Sequence, residues 1–210
     1  LRYGYYTNTA PIVVSNHLGL TIRGGFLGTG METGGISVLT RHPGFTNRIF
    51  YAYGATVTVE RLTIRGGLSD RGAGLFLTNR CAVTLQDCVV RENKTVHQVQ
   101  DVAGAGICAF DGVLQIRDSV ISSNVATLSS ASGMRLYGGG LYASGVAVTM
   151  TNVLLDYNTM APYYASGGGV FLTGGSALIT DCRFYTNAFA QYSWMGSAIY
   201  ANEVDALTVR

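Results

Sequence analysis

The sequence predicts an all-β fold, a parallel β-solenoid with three short strands per coil, and three observations predict it. Asparagines recur as Asn93, Asn124, Asn158 and Asn187, in steps of 31, 34 and 29 residues. Three residues before each stands an apolar residue (Val90, Ile121, Leu155, Phe184), and eight before stand Leu85, Ile116, Met150 and Ile179. A glycine-rich cluster opens an apolar strand in every unit: GAGLFL (72–77), GAGICA (104–109), GGGLYA (138–143), GGGVFL (167–172) and GSAIYA (196–201). Within segments such as VTL (83–85), LQI (114–116) and VTM (148–150) apolar residues alternate with period two, as in a strand with one buried face. Gly, Thr and β-branched residues fill the same windows, which excludes helices. Such short strands bury their inner face only by winding into a coil that stacks on the next, at about 4.8 Å per coil.

Taken in order, residues 1–46 read as irregular first coils and residues 47–210 as regular ones, about six to seven in all, in one domain spanning 1–210. PIVVSNHLGLTIRGG (11–25) looks like a shortened copy of the unit, and residues 26–46 take no clear register. IFYAYGATVTVERLTIRGG (49–67) is a copy without the asparagine, with Ile49, Val57, Val59, Leu62 and Ile64 at the matching positions. Later units read turn, strand, corner, strand, turn, strand, asparagine, and their length varies mainly after the asparagine. The asparagines are expected in tight turns with φ > 0, bonding their own backbone.

Hydrophobic residues make up 48% of the chain and charged residues 12%, which excludes a disordered segment. Thirteen arginines, the single Lys94 and 12 acidic residues are scattered without runs, so nucleic acid is not an expected partner. No apolar stretch reaches the roughly 18 residues of a membrane span. Residues 1–10 lack the apolar run of a signal peptide, so a secreted protein would carry that signal outside this sequence. Cys81, Cys88, Cys108 and Cys182 show no CxxC spacing and no adjacent histidine, and His17, His42 and His97 share no motif, so neither metal nor cofactor is assigned. Cys88 and Cys182 share an inward column but stand three coils, about 14 Å, apart, too far for a disulfide. All four are expected as buried free thiols. Asn93-Lys94-Thr95 matches a glycosylation sequon.

An apolar-x-x-Asn element (VREN, ISSN, LDYN, FYTN) paired with a GG-[AG]-[ILV] element resembles the right-handed parallel β-helix, or pectin-lyase-like, superfamily. More narrowly it is similar to the repeats of polymorphic outer-membrane adhesins and secreted bacterial surface proteins. The likeness covers 47–210 well and 1–46 loosely. It implies a right-handed coil and an extracellular or cell-surface location. The fold hosts both enzymes and inert fibres, so activity must be argued from columns of stacked residues.

Two columns and one further feature qualify. Asp87, Asp118, Asn152 and Asp181 place carboxylates a coil apart, where they could share a proton or hold Ca²⁺; the competing role is a turn residue capping backbone N–H groups. Arg117 and Arg183 flank this column, but no wider acid, base and cation cluster recurs, so no catalytic residue is assigned. The second column, Phe50, Phe76, Cys108, Tyr142, Phe171 and Tyr200, is expected to face outward and to contact either folded-back segments, another protein or sugar rings. Tyr163, Tyr164, Tyr192 and Trp194, in the segments after the asparagines, add to these aromatics. The third feature is the pair of ends. Ile199, Ala201, Leu207 and Val209 supply two strands of a coil, while Leu1, Tyr3, Tyr5 and Asn8 read as the missing third, with Tyr5-Tyr6-Thr7-Asn8 set against Phe184-Tyr185-Thr186-Asn187. The expectation is a non-enzymatic structural or adhesive solenoid that stacks head to tail into a homopolymeric filament. The alternatives are a polysaccharide lyase or hydrolase using Asp87, Asp118 and Asp181, and a module binding extracellular glycans.

Overall fold

The computed structural model describes residues 1–28, 34–97, 102–128, 135–161, 165–189 and 196–210. They hold strands, turns and bends and no helix, and all their strand pairings are parallel. Three ladders carry the core. The first joins Ile12–Ser15, Phe50–Tyr53, Leu75–Thr78, the starts of Ile107–Ser122 and Leu141–Asp156, Val170–Thr173 and Ile199–Asn202. The second joins Leu18–Arg23, Thr56–Glu60, Cys81–Gln86, the middles of the two long strands, Ser176–Thr180 and Ala206–Val209. The third joins Gly4–Asn8, Ser37–Arg41, Leu62–Arg65, Val89–Arg91, the ends of the long strands and Arg183–Tyr185. Each strand pairs with its equivalent one unit away. A parallel pair needs a crossover of a dozen or more residues, which the rest of the unit supplies.

Alternation fixes which side is inside. In Cys81–Gln86 the residues alternate buried and half-buried, and the inward columns merge into one core that includes Leu75, Leu85, Ile116, Ile121 and Leu155, each 0% exposed. Corners are tight. Asp87, Asp118, Asn152 and Asp181, with φ of 48–53°, each turn the second strand into the third. At the next corner the left-handed residue is Glu92, Ser123, Tyr157 or Thr186.

That last column corrects the expectation for the asparagines, each of which lies one residue beyond the positive φ. Their side chains point inward: Asn93, Asn124 and Asn158 are 0% exposed and Asn187 8%. Asn124 Nδ2 donates to Val90 O at 3.0 Å and to Asn158 Oδ1 at 2.9 Å, and its backbone N–H donates to the same Oδ1 at 3.2 Å. Asn93 and Asn158 repeat the arrangement on Asn124 and Asn187. The amides thus form a continuous buried ladder. Against it lies the third residue of the first four clusters, Gly74, Gly106, Gly140 and Gly169. A Cβ on Gly106 would stand 2.9 Å from Asn124 Nδ2 and 2.6 Å from Gly140 O, distances no side chain tolerates. The two halves of the repeat motif are therefore the two sides of one contact.

The segments after the asparagines add two further strands to the three expected. Leu68–Ser69, Lys94–His97, Val125–Leu128, Thr159–Ala161 and Ala188–Phe189 form an outgoing ladder. Val102–Ala103, Leu136–Tyr137 and Ala165–Ser166 form a returning one. Ala105, Ala126, Leu136, Met160 and Ala165 build a second small core, with Phe189 packed on it. These strands are two to four residues long, too short for a period to show in the sequence.

Three registers differ from the sequence reading. Phe50 pairs with Leu75 and is 1% exposed; its neighbour Tyr51 takes the outward place beside Phe76, because Ile49-Phe50-Tyr51 offers two apolar alternations. Tyr6, not Tyr5, shares the inward column of Phe184, so Asn8 aligns with Thr186 and lies outside the asparagine ladder. Leu20-Thr21-Ile22-Arg23 pairs in the second ladder, whereas the identical Leu62-Thr63-Ile64-Arg65 pairs in the third. Ser37–Arg41 supplies the third strand of that early layer, which gives part of 26–46 its register.

Replacing Asn124 by Leu is expected to cost at least about 3 kcal/mol, since it leaves the Val90 carbonyl and the amide of Asn93 without partners in the interior. Asn187→Leu, at the partly exposed end of the ladder, is expected to cost less. Urea unfolding of both variants checks the order.

Candidate functional site

The aspartate column lies at the corner between the second and third ladders, preceded there by Arg61 with φ of 54°. Asp87, Asp118, Asn152 and Asp181 are exposed, and Asn152 Nδ2 donates to Asp118 Oδ1 at 2.7 Å. Two clefts open along this corner. One, of about 330 Å³, is lined by Asp118, Asn152, Asp181, Arg183 and Tyr185 over Val120 and Leu154. The other, of about 380 Å³, takes in Asp87, Arg61 and Val89. The structure thus brings Asp118, Asp181 and Arg183 to one cleft and puts Asp87 in the other. Arg117 turns away to donate to Gln115 Oε1 at 3.0 Å. Two layers, roughly 9.6 Å, separate Asp118 from Asp181. A left-handed φ at every member gives the column a geometric reason for Asp and Asn that needs no ligand.

The aromatic ladder lies on the outer side of the first strands. Tyr142 and Phe171 stack at 5.4 Å with an interplanar angle of 12°, Phe171 meets Tyr200 at 5.1 Å, and Tyr51 stacks on Phe76 at 5.6 Å. Cys108 breaks the column, and Phe110, two residues on, bridges the gap by touching both Phe76 and Tyr142. Tyr137, from the returning ladder, packs on Phe171 at 4.7 Å. The Arg48 guanidinium lies 4.4 Å from the centre of the Phe76 ring and is paired with Asp70. In the Tyr51–Phe76 and Tyr142–Phe171 pairs the ring faces are turned toward one another, while Phe110 and Tyr137 meet their neighbours edge-on or tilted. A sugar ring stacks on an aromatic face, so the arrangement serves packing better than glycan capture. Burial also pushes the Tyr142 hydroxyl above its ordinary pKa. Tyr163, Tyr164, Tyr192 and Trp194 lie outside the described residues. Sequence reasoning missed Tyr51, Phe110, Tyr137 and Arg48; for Phe110 the usable signal is its two-residue offset from Cys108, which keeps it on the same face.

Among the end residues, the inward column members Ala201, Leu207 and Val209 are exposed, the last at 56%, while Ile199 is half-buried. Tyr3 and Tyr5, at the opposite extremity, are exposed on the outward side, and Leu1 is exposed beside them. All four cysteines are free. Burial pushes Cys88 up to about 11 and Cys108 further, while Cys182 is only half-buried. The sequon asparagine, Asn93, is committed to the buried ladder and offers no accessible amide. No helix among the described residues is long and apolar enough to cross a membrane.

Comparison with family models, with curated proteins and with solved structures finds no match to this chain.

The raised thiols set a pH dependence. A folded pKa above the unfolded one stabilises fully below the unfolded value and is lost as pH rises through the folded value. Stability is therefore expected to decline from about pH 9 toward 11, the window of Cys88. Thermal melts of wild type and Cys88→Ala over that range check it, the variant losing less. In native protein near pH 8, Cys182 is expected to react with a thiol reagent well before Cys108.

Proposed function

We propose that the chain is a right-handed parallel β-helix of the pectin-lyase-like kind that acts as a non-enzymatic, extracellular structural or adhesive element. The observation that carries this reading is the use made of the repeating polar columns. The buried asparagines hold layer to layer, and the aspartates that could have served catalysis occupy left-handed corner positions. Both columns have a mechanical reason to exist. The surface location rests on the likeness of the repeats to those of secreted bacterial proteins.

Assembly follows from the layer edges. Exposed Leu207 and Val209 continue inward columns and stand ready for one more parallel layer. A neighbouring stretch of the same polypeptide or a second copy stacked head to tail would supply it, and the second gives an open filament. Electron microscopy of the 210-residue chain is expected to show rods that shorten on Val209→Asp; single short particles in the wild type would rule out end-to-end stacking.

A polysaccharide lyase or hydrolase is the second reading, favoured by the cleft that gathers Asp118, Asp181 and Arg183. Cleavage of a uronic acid polymer that disappears on Asp118→Asn would establish it in place of the first. A glycan-binding role for the aromatics predicts instead that Tyr142→Ala weakens polysaccharide binding.

A further inference from the structure

The outer face of the second ladder stands open to solvent. Val113 is 41% and Leu178 40% exposed, and Thr56, Ala147 and Ala206 are exposed beside them. Two columns make up the face. One runs Thr56, Ala82, Val113, Ala147, Ser176, Ala206, and the other runs Thr58, Thr84, Gln115, Thr149, Leu178, Thr208. Neither column holds a charge. The parallel ladder sets both at one regular spacing along the stack.

The two columns complement each other. The first holds mostly small side chains and the second larger ones, and within a strand large stands beside small: Thr84 beside Ala82, Thr149 beside Ala147, Leu178 beside Ser176. Charge appears at the margins of the middle layer, where Asp111 is exposed at the first corner and Arg117 just before the second, its guanidinium donating to Gln115 of the second column. Rotation by half a turn about an axis parallel to the stacking direction lays the second column of one copy on the first column of another. The same rotation sets Asp111 against Arg117 of the second copy, twice by symmetry. Six layers at about 4.8 Å, by six residues at about 3.3 Å, give a strip near 29 by 20 Å. Two such strips bury roughly 1,200 Å², the lower edge of what specific complexes bury.

We infer that this face is a lateral self-association surface, on which a second copy of the chain packs the same face about a two-fold axis parallel to the stack. The contact is isologous and closes at two copies. Sheets packed in this way stand about 10 Å apart, with small and large columns interdigitated. It is separate from end-to-end stacking, which uses the outermost layers.

Sedimentation equilibrium over a wide concentration range tests it, in the Val209→Asp variant, where end-to-end stacking is blocked and only the lateral contact adds mass. A reversible monomer–dimer equilibrium is expected, weakened at least tenfold by Thr84→Arg, which drives a charge into the dry strip. Asp111→Arg and Arg117→Asp should each weaken the dimer by setting like charges together, and the double variant should restore it. All these positions are exposed or half-exposed, and unchanged far-ultraviolet circular dichroism verifies that folding is retained. Monomer at every concentration, or a double variant no tighter than the single ones, would overturn the inference.

Discussion

The structure depends on one contact, the buried asparagine amide pressed against a glycine of its own unit. Asn124, Asn158 and Asn187 each close a corner by accepting from the backbone and side chain of the asparagine one layer below, and each donates to a third-strand carbonyl there. An amide at the end of a short side chain offers two donor hydrogens and an acceptor oxygen, whereas a hydroxyl has one hydrogen to donate and an apolar side chain neither donates nor accepts. Its cost is space, and the neighbouring glycine column supplies that space. The unit without an asparagine shows the same coupling from the other side. There Gly67 stands in the asparagine column and Ile49, fully buried, stands in the glycine column. The two columns change together.

From this ladder the rest of the architecture follows. Equal layer spacing lets the inward columns fuse into one core and lets Tyr142 and Phe171 stack nearly parallel outside it. The left-handed residue one place before each asparagine aims the side chain inward. Once the corners are fixed, the segments that follow can vary in length, since they need only leave and return beside the same glycines. Their small separate core, centred on Leu136 and Met160, shows that they pack among themselves and do not intrude on the main one.

Much of this was legible in the sequence because a repeat displays each constraint several times. The alternation in Val83-Thr84-Leu85, the asparagine steps and the glycine clusters gave the parallel layers and the three main strands. What was not legible depends on single-residue register. Ile49-Phe50-Tyr51 fits the pattern in two ways, and only the pairing of Phe50 with Leu75 decides it. The hexapeptide beginning at Leu20 and its duplicate beginning at Leu62 enter different ladders, so local sequence alone cannot assign them. Of the candidate site, the aspartate column was readable as a column, but its division between two clefts, and the turning away of Arg117, depend on side-chain geometry. The continuity of the aromatic ladder through Phe110 escaped notice because it crosses between two columns.

The most direct test of the asparagine ladder is hydrogen exchange at the asparagine side-chain amides, followed by nuclear magnetic resonance in folded protein. The Nδ2 protons of Asn93, Asn124 and Asn158, hydrogen-bonded and buried, should exchange only as the stack opens, as slowly as the core backbone amides of Leu85 and Ile116. Exchange of those protons at the rate of an exposed amide such as Asn79 would contradict the account.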